Sequence, residues 1–298
     1  IIIGLVCKLF IPFGYATLFE TSVVGTDYDF ITDEDPSTYI CYEYNGTQKF
    51  EMPDKRYDDA ELFQQAYVFT VFYSDGAEIN IAVSEKIGTK SDAEKEIQKY
   101  VGRIGKLPSV LRWWVNRVVV HVWDVTAFAD IWVMVLYSEN ADKRISTHDL
   151  EETLFHESIH ASLDATYANS AWWLEAQKKD GAFVTVYGEN KPVLEDLAES
   201  AIFAYTISHN PERIPKGDRE KIEQAIPHKI AFIESVIPSN KAIFSRTDVK
   251  KICSSADVVV SKANEDTPWE TWTNDVEEDK KFEEHSIDIV QIKKIITQ

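Results

Sequence analysis

Residues 150–164 read LEETLFHESIHASLD, and the reading of this stretch decides the fold. His156 and His160 stand at i and i+4 of a helical pattern, so both imidazoles leave one face and converge on one point. Glu157 lies about 100° round the helix from His156, close enough to serve a group held between the histidines without ligating it. With seven histidines in 298 residues, roughly 0.015 HExxH patterns are expected by chance. The spacing predicts a Zn²⁺ site, one ion per chain, with Glu157 beside it as a base. The competing reading is a helix that carries two capped or surface histidines.

A zinc site of this kind needs a third protein ligand and an open fourth position. The pattern HExxHxxGxxH is absent, because Leu163 and Thr166 stand at its last two defined positions and no methionine follows Met134. An aspartate-ligand pattern, GTxDxxYG, fails at Val184 in GAFVTVYG, residues 181–188. What remains is a glutamate from a downstream helix. LEDLAES, residues 194–200, offers Glu195 and Glu199 one turn apart. Leu197, Ala198, Ala201, Ile202 and Ala204 make that helix largely apolar, which predicts burial, and buried carboxylates need partners. One of the two can ligate a metal while the other hydrogen-bonds the free N–H of a ligand histidine.

HESIH, then VTVYG, then EDLAESAIFAY together resemble the glutamate zincins, or gluzincins, such as the catalytic domains of anthrax lethal factor and the clostridial Pro-Pro endopeptidase. The resemblance spans about residues 90–210. It implies zinc ligands His156, His160 and Glu195, general base Glu157, Tyr187 as a transition-state donor, and Glu199 behind a ligand histidine. Ser158-Ile159 and Pro192 depart from the usual pattern and bear on substrate preference. The implied fold is α+β and zincin-like: a small mixed sheet, an active-site helix carrying HExxH, and a mostly helical C-terminal subdomain. The implied activity is peptide-bond hydrolysis on a peptide or protein substrate. In zincins an edge strand before the metal helix holds the substrate as an added strand, and IWVMVLYSE, residues 131–139, occupies that place.

The rest of the chain sets the context. A net charge of -19 argues against nucleic-acid binding, which needs a basic footprint. The run at residues 1–16, IIIGLVCKLFIPFGYA, ends in small residues and contains Lys8; it is expected to be the remains of a secretory signal rather than a stable membrane span, with a buried first strand as the alternative. Secretion would leave Cys41 and Cys253 as a bonded pair and would make Asn45-Gly46-Thr47 a glycosylation sequon. Residues 17–65 form an N-terminal segment, turn-rich and without clear period up to about residue 56. Residues 66–237 are the catalytic domain. Residues 238–298 are an acidic C-terminal region.

Within 66–237, the residues 66–83 read as two strands about a turn at Ser74-Asp75-Gly76, and 91–105 as a helix with a Ser91/Glu94 capping box. Residues 118–123 and 131–138 read as strands. The histidine helix is expected from Ser146 or Thr147 to about Asp164, a loop over 165–192, a glutamate helix from about Val193 to Asn210, and a last helix over 217–236. His121, on an apolar strand, is expected to be a satisfied core residue, Asp164 solvated, and Trp172-Trp173 core aromatics. The functional alternative is a catalytically silent zincin-fold extracellular binding module.

Overall fold

Apolar residues alternate in two registers along the central strands, and each register fills one face of a sheet. The computed structural model describes residues 17–57 and 62–238 and, for the backbone alone, 258–260. Strands β1 (Tyr39–Glu51), β2 (Phe63–Tyr73) and β3 (Glu78–Ser84) precede three short helices, α1 (Lys90–Ile97), α2 (Val101–Lys106) and α3 (Ser109–Trp114). Strands β4 (Arg117–His121), β5 (Phe128–Asp130) and β6 (Val133–Tyr137) follow. Helices α4 (Ser138–Ser146), α5 (Leu150–Ser162), α6 (Asp164–Tyr167), α7 (Ala171–Asp180), α8 (Val186–Asn190), α9 (Asp196–His209), α10 (Lys216–Ala225) and α11 (Pro227–Val236) come next, then β7 (Val258–Val260). The fold is α+β.

The sheet is mixed, in the order β5-β6-β4-β3-β2-β1-β7. β4 runs parallel to both β3 and β6, and the other pairings are antiparallel. Ile81, Val118, Val120, Met134 and Leu136 face the helices and join Leu111, Leu154, Phe155, Ile159 and Phe203 in one core. Ala82, Val119, Val133, Val135 and Tyr137, one residue out of phase, form a second cluster with Met52 on the opposite face. Burial on both faces explains why these strands read as continuous apolar runs.

Several expectations are corrected. The stretch 17–56 contains β1, a 13-residue strand with a register shift between Tyr44 and Thr47; the irregularity at Gly46 (φ 92) hid its period. The helix expected over 91–105 is two helices, and its cap is Thr89 with Asp92 rather than Ser91 with Glu94. The histidine helix starts at Leu150, because α4 occupies 138–146 and His148 sits in a left-handed turn at φ 60. The expected loop over 165–192 holds α6, α7 and α8. α7 is bounded by Ser170, whose hydroxyl accepts the Trp173 N–H, and by Gly181 at φ 57, the usual cap chemistry at each end. Pro227 splits the last helix, since it lacks an N–H and restricts Ile226.

The 131–139 stretch is not an edge. β6 pairs with β4 on one side and β5 on the other, so the edge at this end is β5. Among the described residues no helix is long and apolar enough to cross a membrane. Residues 1–16, Cys253 and the acidic stretch 264–286 lie outside the described residues, and with them the expected signal and the Cys41–Cys253 bond.

α5 is nearly all buried, including its polar residues, and each of these needs a partner. Glu151 pairs with Arg103 at 3.0 Å and Lys106 at 3.2 Å. Glu152 Oε1 accepts the N–H groups of Phe30 and Ile31 at 3.0 and 3.2 Å, while its Oε2 is buried with no hydrogen-bond partner. Burial, aided by the neighbouring Glu151 charge, pushes the Glu152 carboxyl up to about 8 against those two hydrogen bonds. An acid whose folded pKa is raised contributes its stability fully below the unfolded value and loses it as pH climbs through the folded one. Wild-type stability is therefore expected to fall as pH rises from about 4.5 to about 8. Glu152→Gln keeps the acceptor for Phe30 and Ile31 and cannot ionise, so urea unfolding of the variant should lack that decline. An identical decline in the variant contradicts this account of Glu152.

Candidate metal centre

The two histidines of α5 and the residue that opens α9 meet at one point. His156 Nε2 and His160 Nε2 are 3.1 Å apart. Glu195 Oε2 is 3.5 Å from the first and 3.3 Å from the second. Glu195 is the residue just before α9, not an interior position of the helix, and its carbonyl accepts the Glu199 N–H at 2.8 Å. That single turn places Glu199 beside the opposite nitrogen of His156, with Oε1 3.3 Å from Nδ1.

The far nitrogens of both rings face carboxylates. His160 Nδ1 is 2.6 Å from Asp164 Oδ2, so Asp164 is engaged with the site rather than solvated as the sequence suggested. With each Nδ1–H directed at a carboxylate, the neutral form of each ring would offer the Nε2 lone pair to an ion between the two rings and Glu195. Ligands about 2.0–2.1 Å from a tetrahedral zinc ion stand about 3.3 Å apart, which matches the 3.1, 3.3 and 3.5 Å separations. Among the described residues this is the group of three suited to hold a metal ion. The residues present fit Zn²⁺ in donor type and in spacing.

The electrostatics also favour a cation here. Burial alone would lower the His160 pKa, but the hydrogen bonds to Asp164 and Glu195 outweigh it and push the ring up to about 10. Burial would raise Glu195, yet its bonds with His156 and His160 hold its carboxyl far below the usual range. Glu157 is 8% exposed. Burial raises its pKa, with Glu195 adding to the rise and His156, His160 and Lys55 opposing it. A carboxyl raised in this way is a better proton acceptor than an exposed one.

Tyr187 reaches the site by a route the sequence did not suggest. In place of the expected loop, Thr185 is buried and caps α8, its hydroxyl accepting the Gly188 N–H at 3.0 Å. Gly188 is closely packed: an added Cβ would sit 3.1 Å from Thr185 Oγ1 and 3.4 Å from Asp196 Cα. It lets α8 lie close against α9. The Tyr187 hydroxyl donates to Glu195 Oε1 at 2.9 Å and accepts from Lys191 Nζ at 2.9 Å, and burial raises its pKa.

The chain matches no known protein family, no curated protein and no solved structure. The likeness to gluzincins therefore rests on the motif residues themselves.

All six expected site residues, His156, Glu157, His160, Tyr187, Glu195 and Glu199, fall within this one neighbourhood. Sequence reading missed Ser22, Lys55 and Lys191, and it discounted Asp164 although its i+4 spacing from His160 was visible. Lys55 Nζ donates to Thr126 Oγ1 at 2.6 Å just ahead of β5, and its charge is felt by Glu157. Of the other expectations, His121 is a buried residue whose Nε2 lies 2.9 Å from the Pro53 carbonyl oxygen. Trp173 is core, whereas Trp172 is 61% exposed.

Proposed function

We propose that this chain is a zinc-dependent endopeptidase of gluzincin type with a zincin-like catalytic fold. The observation that carries the reading is the convergence of two imidazole nitrogens and one carboxylate oxygen, mutually 3.1–3.5 Å apart and each backed by a second partner. His156, His160 and Glu195 would hold the ion. Bound there, Zn²⁺ would supply Lewis acidity toward a peptide carbonyl and toward water.

The remaining steps belong to the side chains. Glu157 accepts the proton of the attacking water and delivers it to the departing amine, the two-way transfer that a raised carboxyl supports. Glu199 and Asp164 hold the ligand rings in one tautomer and orientation. Tyr187 turns its hydroxyl from Glu195 to the oxyanion that grows on the carbonyl. An extended peptide adds to the edge of the described sheet at β5, where main-chain hydrogen bonds hold it in register. The Trp132 N–H donates to Ala161 O at 2.9 Å and so ties the β5–β6 turn to the end of α5. A peptide on β5 would thus lie beside the histidines. Export belongs to the same proposal and rests on residues 1–16 and the sequon.

A randomised peptide library incubated with and without chelator tests the reading: cleavage should appear and should stop when metal is removed. No cleavage under either condition favours the catalytically silent binding module. Tyr187→Phe should keep the fold and the zinc while kcat falls about 10²- to 10³-fold, the usual cost of one oxyanion donor. KM should change little, because that bond forms in the transition state. Unchanged kcat removes Tyr187 from the mechanism.

A further inference from the structure

Glu199 is 1% exposed and Ser22 is fully buried, although they are 177 residues apart in sequence. The Ser22 N–H donates to Glu199 Oε2 at 2.8 Å, and the Ser22 hydroxyl donates to Oε1 at 3.0 Å. Both carboxylate oxygens are thereby clamped by one residue. The same hydroxyl oxygen lies 3.5 Å from His156 Nδ1. Glu199 Oε1 is the nearer acceptor for the imidazole N–H, at 3.3 Å, and the Ser22 hydroxyl, which donates to that same oxygen, holds it in place.

The neighbouring residues are fastened along the same elements. Leu18 and Phe19 donate to the Val184 carbonyl at 3.0 and 3.2 Å. Val186 and Tyr187 donate back to Phe19 and Glu20 at 2.9 and 3.0 Å. The Phe19 ring stacks on Phe203 of α9 at 5.1 Å. This strap therefore holds α8, which carries Tyr187, and α9, which follows Glu195 and carries Glu199.

We propose that Ser22 is a positioning residue of the metal centre, fixing the Glu199 carboxylate against His156 so that the imidazole keeps its metal-facing tautomer. This inference rests on the zinc-site reading above. A buried carboxylate with too few donors would swing away, and the His156 ring would lose its brace. Ser22 acts through Glu199, so its effect must vanish when Glu199 is gone.

The test is the Zn²⁺ affinity of the full chain, measured by competition with a chromophoric chelator. Ser22→Ala should bind Zn²⁺ about 10-fold more weakly, at the lower end of the range for partners behind a ligand, because the backbone donor remains. Ser22→Gly, which also keeps that donor, should show the same loss and serves where the alanine variant does not fold. In a Glu199→Ala background, Ser22→Ala should cause no further loss. A folded Ser22 variant with wild-type affinity, or an equal loss in both backgrounds, overturns the inference while the zinc site stands. A wild-type chain that binds no Zn²⁺ overturns the site reading and this inference with it.

Discussion

Glu157→Gln is expected to remain folded and to bind zinc as the wild type does, while peptide hydrolysis falls about 10²- to 10⁴-fold. The substitution preserves shape and hydrogen-bonding length but removes the only function asked of this side chain, the uptake and return of a proton. Glu157 lies one position from His156 on α5, yet the proposed ligands are His156, His160 and Glu195, so metal retention should not depend on its charge. Its burial raises its pKa against the pull of His156, His160 and Lys55, which suits a base working near neutrality. Steady-state kinetics on the best library peptide, with zinc content measured on the same preparation, separates the two roles. Wild-type activity in this variant would mean that the proton goes elsewhere and that the mechanism is wrong.

Lys229→Met is expected to cost about 3–5 kcal/mol of stability, the penalty for leaving one member of a buried ion pair without its partner. Lys229 is fully buried. Its Nζ reaches Asp196 Oδ2 at 2.8 Å and Oδ1 at 2.9 Å, and donates to the Ala182 carbonyl at 2.8 Å. Burial raises the Asp196 pKa and lowers that of Lys229, and each partner's charge opposes the shift. Gln177 and Ser200 complete the shell of Asp196 at 2.7 and 3.1 Å. Asp196 is the first residue of α9 and adjoins Glu195, so the pair anchors the start of the helix beside the proposed carboxylate ligand. Methionine fills the volume but leaves the Asp196 carboxylate buried and unpaired. Adding Asp196→Asn should recover most of the loss, since it removes the orphaned charge. Urea unfolding at fixed pH measures both; a single-variant loss under about 1 kcal/mol would show that the pair is not an anchor.

The part of the site legible in sequence was the part with fixed local spacing. His156 and His160 are one helical turn apart, and helix geometry alone makes them converge. Glu195 and Glu199 could be found because their helix is apolar, and an apolar helix must bury whatever carboxylates it carries. Asp164 was legible by the same i+4 rule and was set aside because helix-end aspartates are usually solvated. Ser22 carried no signal at all: it is a serine in a polar stretch, and only the tertiary fold brings it to Glu199. The central strands were readable because burial on both faces makes them apolar throughout. β1 was not, because the register shift between Tyr44 and Thr47 interrupts its alternation. The edge was assigned to the wrong strand for a related reason. β5 is three residues long with its first two half-buried, too short for any period to show, although it is the strand that leaves an edge for a peptide. Tyr187 was named only through the resemblance; the structure sets its hydroxyl 2.9 Å from Glu195 on α8, a short helix capped by Thr185 where the sequence suggested a loop.

The metal is the centre of the account, and equilibrium Zn²⁺ binding to wild type and Glu195→Ala measures it most directly. The account predicts one ion per wild-type chain, held tightly enough to compete with a chromophoric chelator, and a severe loss of binding in Glu195→Ala, since zinc sites of this type need all three protein ligands. A wild-type chain that takes up no Zn²⁺, or a Glu195→Ala variant that binds it as well as wild type, would contradict it.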